Sequence, residues 1–515
     1  MATDADVRRP PAWALAAALT GAGLGAWCFA FLCDDAYISF RYARNLAHGL
    51  GFVFNPGDAP VEGFTNLLWV LWLAPFEALG LGAPLGAQLG SLLAGALLLV
   101  AVARHLWART SAALAPLAGL AFLASAPPLW VWSSGGLETM AFAAAAFAVY
   151  DRALCGPPRA LGASAALLAL VGLRADGFVW AGLVLGALGL DAWRRGDAPL
   201  LRRVLRLALL ALLASAALFA WRWATFGALV PNTARVKLAF GALSLERGAL
   251  YVLGFLASVA SVPLALALAL APAAGARRER APLTIVLGGL AYAVAVGGDF
   301  MAMGRFLVPG LAFLAVALAL ALDGARSRAL RVVAPPALVV LGLLAAFDLG
   351  PLPRALRARL DFRWSNEAYE SEVERWASAR RSALRWAAQG RELARLAQPG
   401  DSLVIGTIGA VGYHSDLVIL DPFGLVNREP LSETGELGRR SAGHERRVPL
   451  EVFLARAPTF LESRFVPADD PEHKLKPELA PGGRFAAHAR LETHAVAPAP
   501  GVPEGWVLRV VRHVP

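Results

Sequence analysis

Residues 13–45 read WALAAALTGAGLGAWCFAFLCDDAYISFRYARN. An apolar run from Trp13 to Leu32 ends abruptly in two carboxylates, Asp34 and Asp35, with Arg41 and Arg44 close behind. About 20 apolar residues suffice for a helix to cross ~30 Å of hydrocarbon. The run is too long for a signal-peptide core, lacks a small-x-small exit and follows Arg8 and Arg9, so it reads as a retained first transmembrane helix. The rest of the chain agrees. Its 515 residues are 57% hydrophobic and only 17% charged, with a mean hydropathy of +0.55. Soluble domains carry about 25% charge. These figures exclude a disordered chain and argue against one ordinary soluble enzyme. They indicate a polytopic α-helical membrane protein with an attached soluble part.

Ten further apolar segments lie at roughly 84–104, 112–132, 137–151, 160–173, 177–191, 203–221, 249–272, 283–297, 306–322 and 331–348. With the first they predict about 11 transmembrane helices within residues 1–349. A twelfth stretch, 65–81, would reverse every later loop if it crossed. Arginine placement decides against that. With 65–81 lying at the outer interface, 17 of the 25 basic residues before residue 350 fall in inside loops, as the positive-inside rule requires. The N-terminus is then cytoplasmic, and residues 350–515 form an extracytoplasmic cap of α/β or α+β type. The net charge of +10 divides as +8 before residue 350 and +2 after it, so the basic excess marks topology rather than a nucleic-acid surface. Three scattered cysteines form neither a disulfide framework nor a zinc pattern.

In the cap, residues 364–397 read as an amphipathic helix. Leu403–Ile408, Leu417–Leu420 and Trp506–Val511 read as strands. Gly406, Gly409 and Gly412 read as turn glycines, not a phosphate loop.

The outside loops collect Asp34, Asp35, Glu62, Glu138, Asp176 and Asp299, each near a span end. Acids at a membrane boundary are unfavourable unless solvated or paired, so a cluster on one face marks a functional site. Asp34 and Asp35 sit where the first helix ends, against its dipole. Mutual repulsion raises the pKa of one of them, which makes the pair candidate general bases. Arg41 lies two helical turns from Asp34, on the same face if the loop is helical. No histidine pairs with a nucleophilic Ser or Cys motif.

The blocks DDAYISFRYARNLAHGLGFVFNPG, VEGFTN, SSGGLET (133–139), LRADG (173–177), VPNTARVKL (230–238), GGDFMAMGRFLVP (297–309) and GHERR (443–447) occur in the order seen in polytopic GT-C glycosyltransferases. The chain resembles that superfamily over most of its length, and most nearly the mycobacterial terminal arabinofuranosyltransferase family. Ala175 stands where the family has proline, and VPNTARVKL departs from the aromatic-rich PNTFYAK form.

The resemblance implies a GT-C fold whose first outer loop, about 33–83, carries juxtamembrane helices. It implies a bacterial plasma-membrane enzyme that inverts configuration and moves a sugar from a polyprenyl-phosphate donor to a cell-envelope glycan or lipid acceptor. Arabinofuranose is the family's best-known cargo. Asp34 or Asp35 would be the base, Asp34 being the first choice. Arg41, Arg174, Lys237 and Arg305 would hold the donor phosphate. Tyr37, Arg44, Glu62, Asn66, Glu138, Asp176, Asn232, Asp299 and His444 would contact the sugar or acceptor. Some relatives bind a divalent cation and others do not; no ligand spacing here specifies one. The competing readings are a transporter or flippase of lipid-linked sugars and a non-catalytic cell-wall-binding scaffold. Transporters place polar groups mid-helix in repeated halves, whereas here they gather at one membrane face.

Overall fold

The computed structural model describes residues 8–155, 160–237, 241–274, 279–362, 368–433 and 444–514. Helices occupy every apolar segment expected from sequence. They are α1 (Ala12–Cys28), α2 (Asp34–Ala47), α3 (Leu67–Ala78), α4 (Ala83–Arg109), α5 (Ala115–Ala124), α6 (Pro127–Trp132), α7 (Thr139–Leu154), α8 (Ala160–Leu173), α9 (Gly177–Arg195) and α10 (Ala198–Phe226). Then come α11 (Asn232–Lys237), α12 (Ala242–Phe255), α13 (Ser261–Leu270), α14 (Ala281–Ala295), α15 (Val308–Gly324) and α16 (Arg328–Ala346). A π turn at Leu256–Ala260 joins α12 to α13. Among the described residues five helices, counting α12–α13 as one and α15 with its preceding turn, are long and apolar enough to cross a membrane. The chain is a multi-pass membrane protein.

Three local departures have simple causes. Residues 112–132, expected as one span, form α5 and α6, because Pro127 and Pro128 force Ala126 into extended backbone and start a new helix. Residues 65–81 yield α3, whose 12 residues measure about 18 Å, too short to cross. The segment after Arg8 and Arg9 ends at Cys28, and Asp34 and Asp35 open α2 rather than closing α1. The expected dipole penalty is therefore reversed: both carboxylates sit in the first turn of α2, where the helix dipole favours them.

Beyond α16 come α17 (Arg354–Arg359), α18 (Glu372–Leu396), β1 (Ser402–Val404), α19 (Ile408–Ser415), β2 (Val418–Leu420), β3 (Ser432–Glu433), β4 (Arg446–Arg447), α20 (Leu450–Leu454), β5 (Phe460–Pro467), β6 (Ala489–Ala495) and β7 (Trp506–His513). A capping box of Ser371 and Glu374 starts α18. The main sheet has the order β2-β1-β5-β7-β6, with β1 parallel to β2 and β5, and β7 antiparallel to β5 and β6. One face packs on α18 and α19 in a core continuous with the helical bundle; Val404, Leu420, Phe453, Leu461 and Val511 form a second core on the other face.

Sequence reading had placed Ile408 in a strand, but it begins α19. Gly409 and Gly412 are helical, not turn residues. A Cβ on Gly409 would lie 2.0 Å from the Asp34 carbonyl oxygen, so glycine is what lets α19 press against α2.

Candidate active site

Where α2, the loop before α3, and the ends of α7, α8, α10 and α14 meet beneath the cap, they enclose a cavity of about 460 Å³. Eight of the residues singled out from sequence line it: Asp35, Asn66, Glu138, Arg174, Asp176, Lys237, Asp299 and Arg305.

The adjacent carboxylates of α2 divide between two environments. Asp35 faces the cavity, with Lys237 Nζ 3.3 Å from its Oδ2. Burial pushes its pKa up, but Lys237 and Arg305 outweigh burial and hold the carboxyl below its usual range. Asp34 faces the cap. It accepts N–H bonds from Ala410 at 2.7 Å and Gly409 at 3.3 Å, at the N-terminus of α19. In a nucleotide fold a phosphate occupies such a helix end; here a carboxylate from the bundle does. Burial, with a contribution from Asp35, pushes Asp34 up to about 7 against those two hydrogen bonds. Asp34, the first choice from sequence, is thus engaged by the cap, and Asp35 is the one that lines the cavity.

A polar chain runs from α2 around the cavity wall. Ser39 Oγ donates to Asn66 Oδ1 (3.0 Å), and Asn66 Nδ2 donates to Glu138 Oε2 (2.7 Å). Arg174 lies 3.9 Å from Glu138 and makes a bidentate pair with Asp176 at 2.8 and 2.9 Å. Tyr292 OH donates to Asp176 at 2.8 Å. Arg305 donates to Asp299 at 2.8 Å. The turn that delivers Asp299 needs Gly297 and Gly298 at φ +79° and +71°, and a Cβ on either would strike Ser244 or Tyr251.

The cap contributes His444, whose ring lies edge-on between Phe300 (5.6 Å) and Phe423 (4.7 Å); Phe300 lines the cavity. Neighbouring Glu445 pairs with Arg247 of α12 at 3.1 Å, which fixes this segment to the bundle.

Five further expected residues lie elsewhere. Arg41, expected on the donor phosphate, is a buried clamp between loop and cap. It donates to the carbonyls of Phe54, Gly412 and Leu417 at 2.7–2.8 Å and to Asn55 Oδ1 at 3.2 Å. Arg44 bonds Asp416 and the Tyr413 carbonyl. Tyr37 packs on Tyr413 and His414. Asn232 donates to the carbonyls of Gly424 and Leu425 in the cap. Glu62 accepts from Arg222 at 2.9 and 3.1 Å, and burial raises its pKa against that partner. Sequence reading missed Arg222, which lines the cavity at the end of α10, and Tyr292 of α14. The signal for Arg222 was present: a lone arginine ending an apolar helix. Tyr292 gave none. Among the described residues no group of three or more His, Cys, Asp or Glu side chains is arranged to hold a metal ion.

No curated protein matches the sequence. Residues 367–493 match a family model described as a domain of unknown function (DUF8728). The structure is similar to ArnT from Cupriavidus metallidurans bound to undecaprenyl phosphate, at a TM-score of 0.57 and 15% identity, covering 97% of both chains. The apo state of that protein gives a TM-score of 0.56 at 16% identity, with the same coverage. The arabinofuranosyltransferase AftD from Mycobacteria gives 0.52 at 15% identity over 99% of this chain; the match spans 40% of AftD. Likeness at this identity is likeness of fold: the chain has the GT-C fold.

Proposed function

We propose that this chain is an inverting glycosyltransferase. It takes a sugar from a polyprenyl-phosphate donor and passes it to a glycan or lipid acceptor of the cell envelope at the outer membrane–water interface. In this reading the cap is extracytoplasmic, the N-terminus is cytoplasmic and the membrane is the bacterial plasma membrane. Three things support it: the GT-C fold, the likeness to a protein solved with undecaprenyl phosphate, and the charge pattern of the cavity. The observation that carries most weight is the placement of Asp35, ionised beside Lys237 in a cavity that holds Arg174, Arg222 and Arg305.

Asp35 takes the proton from the acceptor hydroxyl as that oxygen attacks the anomeric carbon. The new C–O bond forms opposite the breaking bond to phosphate, whose oxygen leaves with the electron pair. A lipid phosphate is already an adequate leaving group and needs positive charge more than a proton donor. Lys237 and Arg305 supply that charge, and a phosphate drawing Lys237 toward itself frees Asp35 to accept a proton. Asn66, Glu138 and Asp176 offer hydrogen bonds to sugar hydroxyls. The Thr233 hydroxyl, buried at the cavity wall with no hydrogen-bond partner among the described residues, offers another.

The test is transfer from a polyprenyl-phosphate sugar by purified enzyme. Asp35→Asn should lower kcat by about 10²–10⁴-fold with donor binding retained. Asp34→Asn should stay within a few-fold of wild type. Full turnover by Asp35→Asn would remove Asp35 as the base.

A further inference from the structure

At the end of the bundle opposite the cap, α1, α4, α7 and α8 surround a second cavity, of about 1020 Å³. Its outer rim carries Arg8, Arg9, Arg104, Arg109 and Arg152, with Asp151 the one acid among the described residues. Asp151 is engaged by His105 at 2.7 Å, and Arg8 donates to the Thr110 and Ser111 carbonyls. Among the described residues none of Arg9, Arg104, Arg109 and Arg152 forms a salt bridge. All four are exposed.

The inner wall is apolar and small. Ala101, Ala144, Ala145, Ala148, Ala166 and Ala169 leave a trough where larger side chains would close the helix contact, and Leu97 at its far end is 57% exposed. From Arg109 to Leu97 is twelve residues of helix, about 18 Å. That is close to the ~15 Å thickness of one hydrocarbon leaflet. The cavity thus has a cationic end at the water boundary and an apolar trough one leaflet deep. A void lined by methyl groups at hydrocarbon depth forfeits packing unless something fills it.

We infer that this cavity is a binding site for an anionic diacyl glycerophospholipid, its phosphate against Arg104, Arg109 and Arg152 and one acyl chain in the alanine trough. Basic pockets between helices at the cytoplasmic face recognise such head groups. The positive-inside rule accounts for arginines at this end. It does not account for two helices and the N-terminal segment bringing them to one trough whose one acid among the described residues, Asp151, is already engaged. The site is independent of the glycosyl-transfer reading.

The experiment is native mass spectrometry of the full-length protein released from nanodiscs of phosphatidylglycerol, of phosphatidylcholine, or of phosphatidylcholine doped with undecaprenyl phosphate. Wild type should retain one phosphatidylglycerol in strong preference to phosphatidylcholine. The triple variant Arg104→Gln, Arg109→Gln, Arg152→Gln alters only exposed side chains and should bind it on the order of a hundredfold more weakly. Ala148→Leu, which leaves every arginine in place, should also displace the lipid. Equal retention of the two phospholipids, retention of undecaprenyl phosphate that the triple variant abolishes, or unchanged retention of phosphatidylglycerol in either variant would overturn the inference.

Discussion

The two cavities use positive charge in opposite ways. Beneath the cap every cavity cation has a carboxylate partner: Arg174 with Asp176, Arg222 with Glu62, Lys237 with Asp35 and Arg305 with Asp299. At the other end five arginines line a cavity of about twice the volume without an ion pair among the described residues. The difference follows from solvation. The first set is withdrawn from water, where an uncompensated charge is strongly unfavourable, so each is paired. The second reaches bulk solvent and tolerates solitude. Paired, buried charge fixes geometry; unpaired, exposed charge is available to whatever anion arrives.

The sharpest way to break this comparison is to remove one buried partner. Arg222→Met strands Glu62, whose side chain is 2% exposed. It should destabilise the protein by about 3–5 kcal/mol, read as a fall in melting temperature in detergent. Adding Glu62→Leu should recover most of that loss, because two apolar groups leave nothing unpaired. If the single variant melts like wild type, the pair does not hold the wall together.

A smaller effect is expected from pH. The folded Asp34 holds its proton up to about pH 7, whereas the unfolded chain releases it near 3.8. The folded state therefore binds the extra proton between those values, and stability from this group falls as pH rises through that window and levels above it. Asp35 acts in the opposite sense: its contribution is full above the unfolded value of 3.8 and is lost as pH falls from there through its lowered value. Asp34→Asn keeps an acceptor for the α19 N-terminus without the charge. Its melting temperature should gain on wild type from pH 4.5 to 7.5. A constant difference across that range would contradict the assigned burial.

The smallest effect belongs to the far end. Arg104→Gln in lipid-free detergent should move stability by less than about 0.5 kcal/mol, since it breaks no pair. A loss comparable to that of Arg222→Met would erase the contrast between the two cavities.

Much of this was legible in order along the chain. The acids at span ends forecast the cavity end of the bundle, and eight of the residues chosen from sequence line it. Residues read individually fared less well. The resemblance implied ligand contacts for Arg41 and Asn232, yet both bond main-chain carbonyls of the cap, 192 to 376 positions away. The strands β5 and β6 were invisible because Glu462, Arg464, Arg490 and Glu492 interrupt their apolar pattern, and it is pairing with β7 that makes them strands.

Hydropathy and helix formation are local properties, so the sequence by itself determined the bundle of apolar helices, the soluble C-terminal part and the segregation of basic residues. Which member of Asp34-Asp35 meets the cavity was beyond it. Neighbours on a helix project about 100° apart, so one packing contact suffices to send them to different surroundings. That contact is made by Gly409 and Ala410, some 375 residues downstream, whose amides claim Asp34 and leave Asp35 to the cavity.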